Sequence, residues 1–182
     1  TTNTDTSGQA VIGVEASGEQ GPLRIRAKAG VLIASGGFER NEEMKRHFLR
    51  GPSMYSLSIA TNTGDGIHMG MAIGADLRNM NEVWGLTVFK GEGEQNGASR
   101  GGISLAAQID RRNAGCIAVN RYGQRFCNEA ADYDSTWRSY HAWENWGNVG
   151  YRNLPAFKLY DQKYRDKFTI TGRHAKEDLP DW

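Results

Sequence analysis

A continuous apolar run from Gly30 to Ala34 (GVLIA) most constrains how this chain can fold. In a strand with one solvent-exposed face, apolar and polar residues alternate. This run shows no such alternation. Such a strand is buried on both faces, as in a parallel sheet between helices. Ser35 to Gly37 close the run, and open α/β sheets bind ligands at the carboxyl ends of their strands. The sequence therefore predicts a buried strand that ends at a ligand site.

The segments around this strand have clear local patterns. Apolar and small residues alternate from Ala10 to Ala16, and apolar and charged residues alternate from Leu23 to Lys28. This pattern predicts a β-hairpin with one solvent-exposed face. A helix is predicted from Asn41 to Phe48, because Asn41 can cap its N-terminus. A second helix is predicted over 67–73, where Gly74 can end it in a left-handed conformation.

The second half of the chain predicts another set of elements. Residues 90–102 contain five glycines and are predicted to form a functional loop. The remaining elements are a hairpin of 116–119 with 124–127, a helix over 130–146, a strand over 156–160 and a helix over 161–168 capped by Asp161.

Composition limits the possible functions. The 182 residues carry a net charge of +1 and no basic block, which argues against nucleic acid as a partner. No apolar run approaches the about 20 residues of a transmembrane helix. The two cysteines and four histidines form no ligand pattern, so no metal site is expected. Because the chain lacks an initiator Met and ends abruptly at Trp182, we expect a piece of a longer protein.

The two cysteines bear on redox state and location. If Val119 faces Gln124 across a four-residue loop, Cys116 faces Cys127 directly, whereas a three-residue loop with a bulge staggers them. No export signal is visible, which favours a cytoplasmic, reducing compartment. We therefore expect two thiols that lie close together without forming a disulfide.

Three segments resemble the fumarate-reductase-like flavoproteins. Val31 to Phe38 is similar to their "AxGGF" strand and turn, and Asn62 to Gly66 resembles their "TGDG" element. Gly115 to Glu129 (GCIAVNRYGQRFCNE) looks like their "GxIxVNxxGxRFxNE" hairpin. All three occur in the family's order, so the resemblance covers nearly the whole chain.

The resemblance implies a fold, a cofactor and a cofactor site. The fold class is α+β: residues 1–80 are part of an α/β FAD-binding domain with a β-hairpin layer, and 81–182 are part of an α+β substrate-capping domain. The family's GxGxxG fingerprint does not occur in this chain, so the chain alone should hold FAD weakly or not at all. The residues implied to contact or line the FAD site are Ala34, Ser35, Gly36, Gly37, Asn62, Thr63, Gly64 and Asp65.

Within this superfamily, the chain is more similar to the 3-ketosteroid dehydrogenases. They share "NExxxY", here Asn128 to Tyr133, and "PxxxxxDQxYRD", here Pro155 to Asp166. The resemblance implies that Tyr133 is the catalytic base that removes a proton beside a ketone, and that Trp84 and Leu86 contact the substrate. The implied activity is FAD-dependent addition or removal of a C=C bond next to a carbonyl, on a flat apolar ketone.

Other interpretations remain open. The soluble fumarate reductases, which act on an unsaturated acid, have a substrate-binding His where this chain has Leu86 and a proton-donating Arg where it has Tyr133. Outside catalysis, the chain is a detached cap fragment or an interaction module. The aromatic residues Trp137, Tyr140, Trp143 and Trp146 are spaced by three, which predicts one helical face that packs in the cap or lines a flat substrate.

Overall fold

The computed structural model describes residues 2–5, 8–51, 55–96, 111–170 and 177–179. The strands are β1 (Thr2–Asp5), β2 (Gly8–Val11), β3 (Gly13–Gly18), β4 (Gly21–Arg26), β5 (Cys116–Val119), β6 (Trp143–Glu144), β7 (Gly150–Tyr151) and β8 (Phe157–Tyr160). The helices are α1 (Glu42–Phe48), α2 (Asp65–Ala72), α3 (Lys90–Asn96), α4 (Tyr133–Arg138), followed by a 3₁₀ turn (Ser139–His141), and α5 (Gln162–Lys167). No helix among these has the length and apolar character needed to cross a bilayer.

The predicted hairpin is confirmed as β3 and β4. The two strands pair antiparallel, with Val14 opposite Ile25 and Glu15 opposite Arg24. Residues opposite each other share a face, so Glu15 and Arg24 form an ion pair on one face and apolar side chains occupy the other. That apolar face is open, since Leu23 is 56% exposed and Ile25 is 51% exposed.

The predicted buried strand over 30–34 is wrong for this chain. Residues 31–37 form neither strand nor helix, and Leu32 is 90% exposed. A strand exists through hydrogen bonds to a neighbour, and the described strands instead form four two-stranded antiparallel sheets that exclude this segment. No strand among the described residues pairs with the apolar run. The predicted α/β layer therefore remains a prediction.

The two helices that flank the glycine turns are confirmed. Oδ1 of Asn41 accepts a hydrogen bond from the Met44 backbone N–H at 3.0 Å, which caps α1. Helix α2 begins at Asp65, two residues before the predicted start, and Gly74 has the predicted left-handed conformation (φ 89°).

The predicted glycine loop over 90–102 is wrong in its first part. Residues 90–96 form helix α3, in which Lys90 and Glu94 form an ion pair at 3.1 Å. The helix lies close to Tyr55, since a Cβ on Gly93 would be 2.5 Å from the ring. Residues 97–102 lie outside the described residues.

The core of the second half forms around β5, β8 and α5. Strand β8 and helix α5 confirm the strand predicted over 156–160 and the helix predicted over 161–168. Strand β5 pairs antiparallel with β8, with Cys116 opposite Tyr160. The carboxylate of Asp161 caps α5 by accepting the Tyr164 backbone N–H at 2.7 Å. Cys116, Tyr164 and Ile170 form the buried cluster.

The predicted pairing of 116–119 with 124–127 is confirmed only next to its turn. Strand β8 pairs with the other edge of β5, and the Ala118 N–H donates to the Glu129 carboxylate at 2.8 Å rather than to a strand. A single bridge joins Val119 to Arg125, one residue from the predicted Val119–Gln124 pair. The Asn120 N–H donates to the Gln124 carbonyl and the Gly123 N–H donates to the Asn120 carbonyl, both at 2.9 Å, and Gly123 has a φ of 72°. The structure therefore has the three-residue loop of the second predicted alternative, which staggers the two cysteines. Cys116 and Cys127 are thus out of direct register, and both are thiols.

The predicted helix over 130–146 is much shorter in the structure. The Asp132 carboxylate accepts the Ser135 backbone N–H at 2.8 Å, so α4 begins at Tyr133. Ala142 has extended backbone angles, and Trp143 then pairs with Tyr151 in a two-stranded sheet. The four spaced aromatic residues therefore share no helical face: Trp137 is buried, whereas Trp143 is 60% exposed and Trp146 is 85% exposed.

Candidate functional site

The two glycine-rich turns predicted to bind a cofactor lie against each other. The Gly64 backbone N–H donates to the Gly37 carbonyl at 3.0 Å, and the Arg40 N–H donates to the Asn62 carbonyl at 3.0 Å. These bonds join the segment 34–37 to the segment 62–65. The structure therefore brings all eight predicted cofactor residues into one place.

Glycine is required where these turns touch. Gly36 has a φ of +87°, and a Cβ there would lie 2.5 Å from Oδ1 of Asn62. A Cβ on Gly66 would lie 2.5 Å from Oγ of Ser35. Because real Cβ atoms do not approach this closely, a side chain at either position would displace the neighbouring side chain of Asn62 or Ser35 from its place between the turns.

The turns present polar groups on an open surface. Ala34, Ser35 and Gly36 are exposed, and none of their backbone N–H groups is hydrogen-bonded to another residue in the described ranges. Asp65 is exposed as well, and its carboxylate accepts the Thr63 hydroxyl at 2.9 Å. This set offers backbone donors and a carboxylate acceptor beside small residues, which suits a polar ligand that lies close to the backbone.

A second layer of hydrogen bonds holds the turns, and the sequence interpretation missed it. The Asn62 amide donates to the Glu39 carboxylate at 2.9 Å, and the Asn41 amide donates to the Thr63 carbonyl at 2.9 Å. Burial alone would raise the pKa of Glu39, but hydrogen bonds, led by that from Asn62, bring it below its usual value. Glu39 is thus charged at neutral pH and orients Asn62.

The predicted substrate residues lie on a segment that packs against α4. The backbone of Gly85 is buried against the ring of Trp137. Glu82 and Arg138 form an ion pair at 3.1 Å. Trp84 points outward and is 85% exposed, while Leu86 is half-buried. The segment of Trp84 and Leu86 is therefore fixed to the helix that begins at Tyr133.

Tyr133 is 37% exposed at the first position of α4. The turn before it is held by two buried charged residues that the sequence interpretation did not single out, Arg111 and Glu129, which are 2% and 5% exposed. The pairing of Glu129 with Arg125 has a sequence signal, the four-residue spacing in the "RFxNE" motif. Arg111 has none, because it lies 18 residues from its partner Glu129.

The two parts of the predicted site are not joined directly by the polar and ring contacts of the described residues. No hydrogen bond, ion pair or ring contact between described residues joins Tyr133 or Trp84 to the glycine turns. They are connected indirectly through Gly51, which follows α1 and lies so close to His141 that a Cβ would be 2.7 Å from the imidazole. No group of three His, Cys, Asp or Glu side chains in the described ranges is placed to hold a metal ion.

The sequence pattern of the FAD-binding domain family matches residues 3–153, which contain both glycine turns, Trp84 and Tyr133. The chain belongs to the FAD-binding domain family. This confirms the flavoprotein resemblance seen in the sequence.

Two curated proteins are similar to this chain in sequence. It is 33% identical over 98% of its length to a 4-oxocyclohexanecarboxylate 2-dehydrogenase of Sinomonas cyclohexanicum, covering 30% of that protein. It is 34% identical over 87% of its length to a 3-oxosteroid 1-dehydrogenase of Mycobacterium tuberculosis, covering 27% of that protein. The chain thus spans about 30% of the length of these relatives.

A solved structure extends the similarity to the fold. The crystal structure of 3-ketosteroid delta1-dehydrogenase from Sterolibacterium denitrificans, in complex with 1,4-androstadiene-3,17-dione, aligns with all of this chain at a TM-score of 0.79 and 30% identity. The aligned region is 32% of that enzyme. The chain is thus similar in fold to about a third of a 3-ketosteroid delta1-dehydrogenase, the type of enzyme that the sequence indicated.

Proposed function

We propose that this chain is part of an FAD-dependent dehydrogenase that introduces or removes a C=C bond next to the carbonyl of a flat ring ketone. A 3-ketosteroid-like compound is the preferred substrate. The observation that carries the proposal is the placement of Tyr133 on the helix to which the segment of Trp84 is fixed. The Tyr133 side chain is 37% exposed at the start of this helix, α4. By their names, the relatives are dehydrogenases of 3-oxosteroids and of 4-oxocyclohexanecarboxylate, two kinds of ring ketone.

The glycine turns are the proposed cofactor site. The exposed N–H groups of Ser35 and Gly36 would donate to the acceptor groups of FAD, and the Asp65 carboxylate would accept from its hydroxyl or N–H donors. Gly37, Asn62, Thr63 and Gly64 keep the two turns together through the contacts described above. The chemistry that bound FAD would supply at this site is acceptance of the hydride from the carbon adjacent to the deprotonated one.

Tyr133 is the proposed catalytic base. A ketone makes the C–H bond beside its carbonyl more acidic, and the Tyr133 hydroxyl oxygen would take that proton. A base must lie within hydrogen-bond reach of the proton it removes, which the exposed start of a capped helix permits. The hydrocarbon surfaces of Trp84 and Leu86 would contact the flat, apolar part of the substrate.

We also propose the division of the chain into two partial domains. Residues 1–80 contain the glycine turns and would belong to the FAD-binding domain. Residues 81–182 contain Trp84, Leu86 and Tyr133 and would belong to the cap. The FAD-family match runs across residue 80, so the boundary is a division inside the matched region. The absence of a disulfide between Cys116 and Cys127 is compatible with the proposed cytoplasmic location.

Substrate assays of the full-length enzyme test the proposal. We expect an electron-accepting dye to be reduced when the purified enzyme is given a saturated 3-ketosteroid. The same assay with 4-oxocyclohexanecarboxylate distinguishes an apolar from an acidic ring ketone. Oxidation of a reduced dye by fumarate, without turnover of either ketone, would establish the fumarate-reductase alternative. An intact protein that binds no flavin would favour the interaction module instead.

A further inference from the structure

The backbone turn that leads into Tyr133 is held by one buried guanidinium group. Nη1 of Arg111 donates hydrogen bonds to the carbonyl oxygens of Glu129 and Ala131. It also lies 3.3 Å from Oγ1 of Thr136, one turn into α4. Arg111 is 2% exposed, so these bonds do not compete with bulk water. One side chain therefore fixes the backbone before the residue proposed as the base and contacts a side chain one turn after it.

The same turn is attached to β5 from the other side. The Glu129 carboxylate accepts the Ala118 backbone N–H at 2.8 Å and the Nε of Arg125 at 3.1 Å. Burial would raise the pKa of Glu129, but these hydrogen bonds, led by Arg125, outweigh it and lower the pKa. The turn is thus tied to the core strand by a charged carboxylate.

The residues next to Tyr133 complete the arrangement. The Asp132 carbonyl accepts the Thr136 hydroxyl at 2.8 Å, and the Asp132 carboxylate accepts the Ser135 N–H at 2.8 Å. Thr136 is 4% exposed, while the Tyr133 side chain is 37% exposed. The backbone at Tyr133 is therefore fixed while its side chain faces outward.

We propose that Arg111 is a positioning residue for Tyr133. The inference rests on the proposed function, in which Tyr133 is the base. A buried arginine is weak evidence of stability, because apolar residues of similar size often stabilise a core at least as well. A planar group with fixed donor directions does, however, place several carbonyl oxygens relative to each other. That placement sets where the Tyr133 hydroxyl meets the substrate.

A double-mutant cycle in the full-length enzyme tests this role. Arg111→Met keeps an unbranched side chain about as long as the aliphatic stem of arginine and removes its donors, and we expect kcat to fall about 10- to 100-fold, as for a slightly misplaced catalytic group. KM for the ketone and the visible spectrum of bound FAD should stay close to those of the parent. In a Tyr133→Phe background, Arg111→Met should reduce kcat no further, because its effect passes through Tyr133. Arg111→Lys should restore part of the lost kcat.

Matched measurements separate positioning from general stability. Arg121→Met removes an arginine that donates to the Tyr151 carbonyl, away from Tyr133, and should leave kcat unchanged. If Arg111→Met lowers kcat equally in the parent and in the Tyr133→Phe background, or leaves kcat unchanged, the positioning role is overturned. If Arg111→Met does not fold, the same cycle with Arg111→Lys decides by the same criterion. Normal turnover in Tyr133→Phe alone would instead overturn the proposed function.

Discussion

Gly36 and Asn62 are in such close contact that a Cβ on Gly36 would lie 2.5 Å from Oδ1 of Asn62. Gly36 also has a φ of +87°, which costs an L-residue about 1–2 kcal/mol. We therefore expect Gly36→Ala to strain the first turn and displace the Asn62 side chain, and so to weaken FAD binding in the full-length enzyme. Flavin content per purified polypeptide measures the effect. Gly30→Ala is the matched control, since a Cβ there meets nothing within 4 Å, and equal flavin loss in both variants would contradict the proposed site.

Tyr133→Phe removes only a hydroxyl group from an exposed side chain. If that hydroxyl accepts the substrate proton, kcat should fall by about 10²–10⁴-fold, as expected for loss of a general base, with FAD still bound. Steady-state kinetics with the ring ketone and a dye acceptor provide the measurement. Tyr122→Phe is the control, because Tyr122 lies in the turn after β5 and its hydroxyl donates to Glu144 in β6. Turnover close to that of the parent would leave Tyr133 with a packing role.

Glu129→Gln should change both stability and its dependence on pH. Hydrogen bonds to a charged group contribute about 1.5–3 kcal/mol each, so the variant should be less stable at pH 7. The pKa of Glu129 is lowered by folding, so its stabilising effect is present above its ordinary pKa of 4.5 and is lost as the pH falls through the folded value. The difference between parent and variant in urea unfolding should therefore shrink towards pH 3.

The exposed Glu43 in α1 offers a comparison for this prediction. Its partner His47 is 3.9 Å away and the Glu43 side chain is 76% exposed, so Glu43→Gln should change the unfolding free energy by less than about 1 kcal/mol. A stability difference for Glu129→Gln that is constant between pH 7 and pH 3 would argue against a charged Glu129 in the folded protein.

Both cysteines should titrate as thiols. Cys116 is buried, and burial, reinforced by the nearby Glu129 charge, raises the pKa of the Cys127 thiol. A thiol reagent should thus react slowly with the native protein and count two thiols after denaturation without reductant. Two thiols that appear only after reduction would show a disulfide and would remove the support for a reducing compartment.

Elements governed by local chemistry were predictable from the sequence. Helices α1 and α5 begin where Asn41 and Asp161 can cap them, and the turn at Gly74 has the left-handed conformation that its position required. The same is true of the β3–β4 hairpin, whose register follows from alternating residues and a short turn. Local patterns carry this information because each contact spans only a few residues.

Elements governed by distant partners were predicted wrongly or missed. Strand β5 was paired only with the neighbouring residues 124–127, but the partner along its whole length, β8, lies about 40 residues further on, as the pairing of Cys116 with Tyr160 shows. The helix over 130–146 was predicted too long because the Ala142 carbonyl accepts a hydrogen bond from the Arg152 N–H at 2.8 Å. No local sequence pattern indicates that contact. Arg111 was missed for the same reason. The glycine turns were found because each is recognisable by itself, although their mutual contact was not predicted.

The open apolar face of the β3–β4 hairpin governs how this polypeptide behaves when it is concentrated. Leu23 and Ile25 lie side by side with Val14 on a surface that neighbouring molecules can reach. Strand edges with accessible hydrocarbon beside them promote strand-by-strand self-association. The charged pair of Glu15 and Arg24 covers only the opposite face, so it leaves this route open. Polar substitutions at Leu23 or Ile25 are therefore the natural first step towards a chain that stays monodisperse for spectroscopy.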